Sequence, residues 1–359
     1  MKIKEVKRHI IQYDLKEELG YSQQYYQKRT GHLVEVVTDE GITGWGECFG
    51  PGNVAIANKV IVERVIQPMI LEENPLNRDV LWHKVYNLLR DHGQKGMPIQ
   101  ALSGVDIALW DILGKVTGLS ISRLIGGRFR EQVPVYGYGM MLRREKLPAL
   151  MDRFEDEAAA IKSSGFVATK MKVGLGPKQD VQLAESVRRG IGGDFPFMVD
   201  ANHCYTVDQA LYVGRALEEL DAYWFEEPVA PEDLDGYREL RSQLTINIAG
   251  GEAEFTRWGW RNLLEKHCLD IAQPEVCALG GISEYLRVLA LAQAHFTQVI
   301  NHVWGSAVAI ATNLQLLAAI PPLPGGIHPQ EPMLEFDTTD NKFRDCLLYT
   351  SDAADDSGC

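Results

Sequence analysis

The 359-residue sequence has no long apolar run and no excess of basic residues. It holds 36 Lys and Arg against 49 Asp and Glu, which gives a formal net charge of −13. An acidic chain without a basic block argues against nucleic acid or an anionic membrane surface as its partner. The most apolar late stretch, 306–320, is interrupted by polar residues, so no membrane-spanning segment is predicted. An anionic substrate would need a local cation to attract it.

The sequence also lacks closely spaced cysteine pairs. The six cysteines form no CxxC pair and follow no regular spacing, which a reducing compartment permits and which offers no thiol zinc site. The amino-terminal stretch MKIKEVKRHIIQYDLK lacks the apolar core of a signal peptide. We therefore predict a cytoplasmic protein.

The first third of the chain changes its hydrophobic period once. Residues 2–14 alternate as an edge strand, and residues 32–47 have the pattern of a strand, a turn at 39–41 and a second strand. From residue 53 to about 118 the period is helical, in three segments. A hairpin followed by three helices predicts an α+β domain over residues 1–125.

After Pro134 short apolar strands alternate with amphipathic helices. Such alternation is typical of βαβ units and a parallel sheet, and seven or eight consecutive units favour a closed barrel, here over residues 130–345. The absence of a GxGxxG motif after the first strand weakens a nucleotide-binding alternative. The predicted strands are VPVYGYG, FVATKMKV, PFMVDA, AYWFEE, INIAGGE, LDIAQPE, FTQVINH and MLEFD.

Charged side chains stand at the ends of successive predicted strands, where barrel enzymes place their chemistry. One acid in such a place is usually a helix cap, but a series at steps of one βα unit indicates convergence on a common mouth. Three carboxylates that face one another need a cation among them. Oxygen ligands alone indicate a hard ion, and Mg²⁺ is the usual choice. The predicted ligands are Asp200, Glu226 and Glu252, and Glu227 points the other way along its strand.

Two lysines precede these acids on the predicted strand ATKMKVG. Lys170 and Lys172 are two residues apart, so they share a face of the strand, and we expect this face to line the barrel interior. Their mutual repulsion, about 3 kcal/mol at an effective dielectric near 20, would lower the pKa of one of them toward that of a general base. A Schiff-base lysine is the alternative, but the neighbouring acids favour proton abstraction.

A histidine follows the strand on the opposite side of the predicted barrel. His302 in VINHVWG has Glu275, at the end of the preceding strand, as a plausible partner that orients and charges it. The arrangement places a base on one side of a bound molecule and an acid on the other. It suits removal of a proton next to a carboxylate, with the metal stabilising the negative charge.

The motifs KMKVG, MVDANH, WFEEP, AGGE, QPEVCALGG and NHVWG, in this order and spacing, resemble the enolase superfamily in its mandelate racemase subgroup. The resemblance covers residues 2–344 and implies a modified TIM barrel, (β/α)7β, beneath the N-terminal α+β domain as a capping domain. It also implies Mg²⁺ on the three acids, Lys172 as a base with Lys170 beside it, and His302 as the opposing acid or base. The absence of lysine at position 275 separates the chain from the muconate cycloisomerase subgroup.

Within this subgroup a second set of segments resembles hexarolactone cycloisomerases and neighbouring acid-sugar dehydratases: RDHGQKG, ALSGVDIALWD, DANHCYTVDQA, WFEEPVAPEDLD, HVWGSAVAIA and EPMLEFDTTDNKFR. The implied reaction removes the proton α to a carboxylate and then eliminates the β oxygen, most simply by opening a galactaro- or glucaro-1,4-lactone to a 2-keto-3-deoxyhexarate. The alternatives are an aldonate or aldarate dehydratase, a racemase or epimerase of a 2-hydroxy acid, and a non-catalytic metal-stabilised scaffold. We expect a small acid sugar or lactone as the partner and, from the family, a homo-oligomer.

Substrate choice in this family depends largely on capping-domain loops, which we expect near residues 16–28 and 47–56. Their polar and aromatic residues suit a hydroxylated substrate. Glu335 corresponds to an acid that hydrogen-bonds the substrate carboxylate in the racemases. Asn202 and His203, shortly after Asp200, are expected to line the mouth of the barrel. The predicted substrate-binding residues are Tyr21, Lys28, Asn202, His203 and Glu335.

Two features depart from the pattern of the subgroup. Glu275 stands where an aspartate commonly partners the histidine. Members of the family also continue some tens of residues beyond Arg344 and return to the capping domain, whereas residues 346–359 here are small, acidic and patternless. We expect this tail to be a disordered terminus or an unrelated appended segment.

Overall fold

The computed structural model describes residues 1–323, 326–327 and 329–344. It has an N-terminal antiparallel sheet with helices packed on it and a C-terminal parallel sheet in which strands and helices alternate. The predicted tail, residues 346–359, lies outside the described residues. Within the described part of the chain, no helix combines the length and the apolar character needed to span a membrane.

The N-terminal sheet has the order β1-β2-β3, and all of its pairs are antiparallel. Helix α4 packs closely on β3 because two glycines face it. A Cβ atom on Gly44 or Gly46 would lie 2.1 or 2.0 Å from the carbonyl oxygens of Ala108 and Gly104. The strands are β1 (Ile3–Tyr21), β2 (Gln24–Thr38) and β3 (Thr43–Cys48), and the helices are α1 (Asn53–Ile61), α2 (Gln67–Ile70), α3 (Arg78–Leu89), α4 (Met97–Thr117) and α5 (Ile121–Leu124), with a π-helical turn, Val62–Ile66, between α1 and α2.

The prediction of a loop near residues 16–28 is wrong. Strand β1 continues to Tyr21 and β2 begins at Gln24; after a bulge between Asp14 and Leu19 the two strands pair again down to a tight turn between them. Leu15, within the bulge, and Leu19, after it, are buried against barrel residues Tyr138 and Met141, and this apolar contact holds the hairpin on the barrel. Residues 16–28 therefore form a capping hairpin, and its tip reaches the barrel.

The C-terminal sheet contains all eight predicted strands, in the parallel order β10-β9-β8-β7-β6-β5-β4-β11. The two ends of this sheet meet where the backbone N–H of Val303, after β10, donates to Glu335 on β11 at 2.8 Å. The modified TIM barrel with a capping domain is thus confirmed. The strands are β4 (Val135–Met140), β5 (Ala168–Lys172), β6 (Phe197–Asp200), β7 (Trp224–Glu226), β8 (Asn247–Gly250), β9 (Ile271–Ala272), β10 (Gln298–Val299) and β11 (Leu334–Asp337). The helices are α6 (Leu147–Ser163), α7 (Pro177–Ile191), α8 (Val207–Glu219), α9 (Leu234–Gln243), α10 (Thr256–Glu265), α11 (Gly281–Ala294) and α12 (Ala307–Ala319).

A buried glutamate joins the capping domain to the barrel. Glu47, on β3, accepts hydrogen bonds from the backbone N–H groups of Ser306 and Ala309 and from the Ser306 hydroxyl, at 2.6 to 3.2 Å. These donors form the N-terminus of α12, where a helix favours negative charge. Two residues later Phe49 packs edge-on against the ring of His302 at 5.9 Å. This contact therefore places the capping domain over the mouth of the barrel.

A buried histidine in the capping domain is expected to lower the free energy of unfolding at acid pH. His32 on β2 is fully buried, and both of its ring nitrogens have no hydrogen-bond partner among the described residues. Burial, together with Lys59 and Arg8, lowers the pKa of His32 from 6.5 to about 4. Protonation therefore favours the unfolded chain as the pH falls below about 6.5, and the cost is complete below about 4.

We expect this linkage to remove about 3 kcal/mol of unfolding free energy between pH 7 and pH 4. Urea unfolding of the wild type and of the His32→Leu variant at several pH values measures it. The variant should lose less stability on acidification than the wild type, whereas His92→Leu, at an exposed histidine, serves as the control. Equal acid sensitivity of the wild type and His32→Leu would show that His32 is not responsible.

Candidate active site

The predicted acids come together at the carboxyl ends of the barrel strands. Asp200 ends β6, Glu226 ends β7, and Glu252 follows β8 by two residues. One carboxylate oxygen from each lies within 4.8 Å of the others. Asp200 and Glu226 are buried, and Glu252 is partly exposed toward the mouth. We call these three side chains the acidic cluster.

Both lysines lie on the interior face of β5, as their spacing predicts. Lys170 is fully buried, and its Nζ lies 2.6 Å from Glu226 Oε1 and 2.6 Å from Glu335 Oε1. Lys172, one layer nearer the mouth, makes an ion pair with Asp200. The lysines therefore border the acidic cluster on the side of β5.

The expected lowering of a lysine pKa is not found. Burial acts to lower the pKa of Lys172, but the attraction of Asp200 outweighs burial, and the net pKa is raised. The pKa of Lys170 is raised in the same way by Glu226 and Glu335. The prediction considered only the repulsion between the two ammonium groups, whereas the folded site surrounds them with carboxylates. A divalent cation among those carboxylates would offset their charge and oppose this rise.

His302 faces the acidic cluster from the other side of the barrel. Its Nδ1 lies 2.8 Å from Glu275 Oε2, and its Nε2 lies 3.0 Å from Glu252 Oε2. The backbone N–H of Cys277 donates to the other oxygen of Glu275 and fixes that carboxylate. Burial by itself lowers the pKa of His302, but the carboxylates of Glu252, Glu335 and Glu275 raise the pKa to about 10. The longer side chain of glutamate at position 275 thus reaches the histidine.

The capping hairpin closes onto the loop after Asp200. At its tip the Ser22 hydroxyl and the Gln23 side-chain amide both donate to the carbonyl oxygen of Asn202 at 2.9 Å. The backbone N–H of Asn202 in turn donates to Asp200 Oδ1 at 2.9 Å. Tyr21, beside the tip, is partly buried and accepts a hydrogen bond from the Gln24 side chain at 3.0 Å. The hairpin is therefore linked to a member of the acidic cluster through one residue.

The other predicted substrate-binding residues lie in different surroundings. Glu335 is buried and is held by Lys170 and by the Val303 N–H. His203 is partly exposed beside Asn202, and its backbone N–H donates to the carbonyl of Glu227 at 2.7 Å. Lys28 has a side chain that is 62% exposed and lies 3.6 Å from Asp14, so the structure does not bring it to the acidic cluster.

Several residues around the site were not predicted. The side chains of Gln273 and Trp224 each donate to Glu226 Oε2 at 2.8 Å. The ring of Tyr138, on β4, lies 5.7 Å from the Nζ of Lys170 and 5.9 Å from that of Lys172. Barrel enzymes carry their catalytic side chains near the carboxyl ends of the strands. Applied to β4, the first barrel strand, this rule points to Tyr138, two residues before the strand ends.

The residues of the acidic cluster fit a hard divalent cation. All three donors are carboxylate oxygens, which is the donor set that Mg²⁺ prefers. Burial and the charge of Asp200 raise the pKa of Glu226 to about 7, so the carboxylates crowd one another electrostatically. A cation relieves that crowding.

A parallel barrel with such a cluster at the carboxyl ends of its strands defines an enzyme of the metal-dependent barrel class. The profile described as "Mandelate racemase / muconate lactonizing enzyme, N-terminal domain" matches residues 15–126, and that described as "Enolase C-terminal domain-like" matches residues 153–347. The chain belongs to the mandelate racemase/muconate lactonizing enzyme family of the enolase superfamily.

Named relatives cover nearly the whole chain. D-galactarolactone cycloisomerase of Agrobacterium fabrum (strain C58) is 40% identical over 97% of this chain and 90% of the relative. The crystal structure of the 3,6-anhydro-D-galactonate cycloisomerase from Zobellia galactanivorans is 36% identical, with a TM-score of 0.85, and the match covers 96% of this chain and 90% of that one. The protein is therefore an enzyme related to lyases and cycloisomerases of acid sugars.

A third relative was crystallised with metal. The structure of L-talarate/galactarate dehydratase from Salmonella typhimurium LT2, liganded with Mg and L-lyxarohydroxamate, is 26% identical with a TM-score of 0.82. The match covers 96% of this chain and 87% of that chain. Together with the acidic cluster, this relative supports Mg²⁺ as the cofactor.

Proposed function

We propose that this protein is a Mg²⁺-dependent cycloisomerase that opens a hexaro-1,4-lactone, such as galactarolactone or glucarolactone, to a 2-keto-3-deoxyhexarate. The observation that carries the proposal is the placement of Lys172 and His302 on opposite sides of the acidic cluster. A base and an acid that face one bound molecule suit proton removal followed by elimination. The named relatives support the same class of reaction.

Asp200, Glu226 and Glu252 are the residues that would hold Mg²⁺. When bound, the cation supplies electrostatic stabilisation of the negative charge that develops on the substrate carboxylate. Gln273 and Trp224 fix the Glu226 carboxylate, and Asn202 fixes Asp200, so the ligands are oriented before substrate arrives.

Lys172 removes the proton α to the free carboxylate of the lactone. The electron pair of that C–H bond forms a double bond to the β carbon, and the bond from the β carbon to the ring oxygen breaks. The ring oxygen leaves as part of a carboxylate, so it needs no proton. The resulting enol takes up a proton at the β carbon and becomes the keto acid, with no net loss of atoms. Lys170, paired with Glu226 and Glu335, places a second ammonium group beside the base.

A dehydratase of an open-chain aldonate or aldarate is the second candidate. Hydroxide is a poorer leaving group than a carboxylate and requires a general acid. His302 offers one, because Glu275 holds its Nδ1 while its Nε2 points to the cluster. The same first step on Lys172 serves both reactions.

The remaining assignments concern the substrate pocket and the assembly. Tyr21, on the capping hairpin, and Asn202 and His203, in the loop after β6, border the mouth of the barrel. Glu335 acts on the substrate through its ion pair with Lys170. Lys28 would reach the substrate only if the hairpin or its side chain moved. We also propose domain boundaries at 1–125 and 130–345, a small acid sugar or lactone rather than nucleic acid or membrane as the partner, a homo-oligomeric assembly and a cytoplasmic location.

Proton NMR in D₂O with Mg²⁺ and a panel of aldarates, aldonates and their 1,4-lactones tests the function. We expect a 2-keto-3-deoxy product from galactaro- or glucarolactone alone. The same product from an open-chain acid would make the enzyme a dehydratase. Deuterium exchange at the α carbon without product would mean that proton abstraction is right and the substrate wrong, whereas no reaction with any compound would contradict the proposal.

A further inference from the structure

A buried carboxylate outside the acidic cluster joins two loops at the carboxyl ends of neighbouring barrel strands. Asp180, in the first turn of α7, is 1% exposed. Its Oδ1 accepts hydrogen bonds from the backbone N–H groups of Gly174 and Leu175 at 3.0 and 2.9 Å. Its Oδ2 accepts from the Gly176 N–H at 3.0 Å and from the Tyr205 hydroxyl at 2.6 Å. Because a carboxylate offers about four acceptor positions, these four bonds occupy Asp180 fully.

Helix capping explains three of these bonds but not the bond to Tyr205. An acid in the first turn of a helix often accepts from backbone N–H groups at that end of the helix. The three N–H groups belong to loop 173–176, which joins Lys172 to α7. Tyr205 is a buried residue of a different loop, 201–206, which joins Asp200 to α8. Its hydroxyl therefore ties the loop after Asp200 to the loop after Lys172.

The loop after Asp200 has an unfavourable backbone conformation. Asn202 and His203 have φ angles of 42° and 57°, in the left-handed region that residues other than glycine seldom adopt. Such a conformation persists only where the surrounding structure holds it. The backbone N–H groups of His203 and Tyr205 donate to carbonyl oxygens of the loop after β7 at 2.7 and 3.2 Å. The bond from the Tyr205 hydroxyl to Asp180 holds the loop from the opposite side, that of α7.

The same loop orients one member of the acidic cluster. The backbone N–H of Asn202 donates to Asp200 Oδ1 at 2.9 Å, so the position of this N–H fixes one oxygen of the carboxylate. A loop that relaxed from its left-handed conformation would move the N–H and release that oxygen. Groups that orient a metal ligand typically change metal affinity by about 10- to 100-fold when they are removed. The bond between Tyr205 and Asp180 is therefore connected to the acidic cluster through Asn202.

We propose that Asp180 and Tyr205 are positioning residues of the metal site, which hold the loop after β6 so that Asn202 fixes Asp200 for Mg²⁺. This inference rests on the proposed Mg²⁺ site at the acidic cluster and deepens it. Loss of the Tyr205 hydroxyl weakens Mg²⁺ binding, because Asp200 must then be oriented as the cation binds. The reaction at saturating Mg²⁺ is little changed, because the proposed base and acid keep their places.

Calorimetric titration of the metal-free protein with Mg²⁺, without substrate, tests this inference. Tyr205→Phe removes one oxygen, and we expect it to raise the Kd for Mg²⁺ about tenfold, the lower end of the effect of a group that orients a ligand. Asp180→Asn should act in the same direction, because an amide nitrogen cannot accept the hydrogen bonds that Oδ2 accepts. Tyr212→Phe is the matched control, since Tyr212 on α8 is 51% exposed, and its Kd should equal that of the wild type.

A second variant keeps this test separate from the proposed metal site. If Asp200→Asn loses the Mg²⁺ binding that the wild type shows, the acidic cluster holds the cation, and the Kd of Tyr205→Phe alone decides the inference. A wild-type Kd in Tyr205→Phe, or a lower Tm without a change in Kd, would overturn the positioning role. Equal binding by the wild type and Asp200→Asn would overturn the metal site and the inference together. Because the titration needs no turnover, it decides the inference even if the lactone is the wrong substrate.

Steady-state kinetics provide a further readout wherever turnover is found. Tyr205→Phe should need about tenfold more Mg²⁺ for half-maximal rate, while kcat at saturating Mg²⁺ stays within about twofold of the wild type. A loss of kcat that saturating Mg²⁺ does not restore would contradict a role confined to the metal site.

Discussion

Replacement of Lys172 by methionine is expected to lower turnover of the hexarolactone by about 10³-fold or more, since a positioned general base contributes roughly 10² to 10⁴. Methionine has nearly the length of lysine and fills its place on β5, but it cannot accept a proton. Exchange of the substrate α proton with D₂O should disappear together with turnover. Steady-state kinetics and proton NMR in D₂O measure the two effects.

Two controls define this result. Lys178→Met changes an exposed lysine at the start of α7 and should leave turnover unchanged. Circular dichroism should show that Lys172→Met is folded, although Asp200 has lost its ion pair with Lys172. Deuterium exchange that persists in a folded Lys172→Met protein would mean that another group removes the proton, and His302 would then be the first residue to examine.

Removal of divalent cations should abolish activity while the fold is retained. A chelator is expected to lower turnover by about 10³-fold or more, because the cation supplies several kcal/mol of stabilisation to the developing charge. The fold should survive, because Lys170 and Lys172 also neutralise the acidic cluster through their ion pairs with Glu226 and Asp200. Turnover and far-UV circular dichroism before and after chelation, and after readdition of Mg²⁺, provide the measurement.

Asp200→Asn is the companion variant for the chelation experiment. It removes one charge from the cluster at nearly constant shape, so readded Mg²⁺ should not restore its activity to the wild-type level. Global unfolding of the wild-type protein on chelation would instead identify the metal as structural. Undiminished turnover in the chelator would show that the reaction needs no divalent cation.

The barrel and its chemistry-bearing positions were predictable because their signals are local. Each predicted strand from VPVYGYG to MLEFD is a strand of the barrel, and the regular spacing of Asp200, Glu226 and Glu252 reflects one βα unit per step. Parallel strands bring such positions to one edge wherever they lie in the chain. The interior placement of Lys170 and Lys172 follows from the two-residue period of a strand in the same way.

The contacts between capping domain and barrel were not predictable in this way. Ser22 and Gln23 bind the carbonyl of Asn202, and Glu47 binds the N-terminus of α12, across about 180 and 260 residues of sequence. Neither pair has a local pattern that names its partner. The prediction of a loop at 16–28 failed for the same reason. The hairpin is stabilised by Tyr138 and Met141 of the barrel, which are distant in the sequence and lie against it only in the folded chain.

The sequence by itself determined the barrel, the family and the identity of the acids, lysines and histidine that meet at its mouth, because periodicity and spacing are properties of neighbouring residues. Only the tertiary structure decided the pKa values of the groups at that site and the conformation of the capping hairpin above it. The raised pKa of Lys172 depends on the summed field of carboxylates from several strands, and a sum over distances exists only once the chain is folded. The capping hairpin likewise has its contacts with Asn202, Tyr138 and Met141 only where folding brings these distant parts of the chain together.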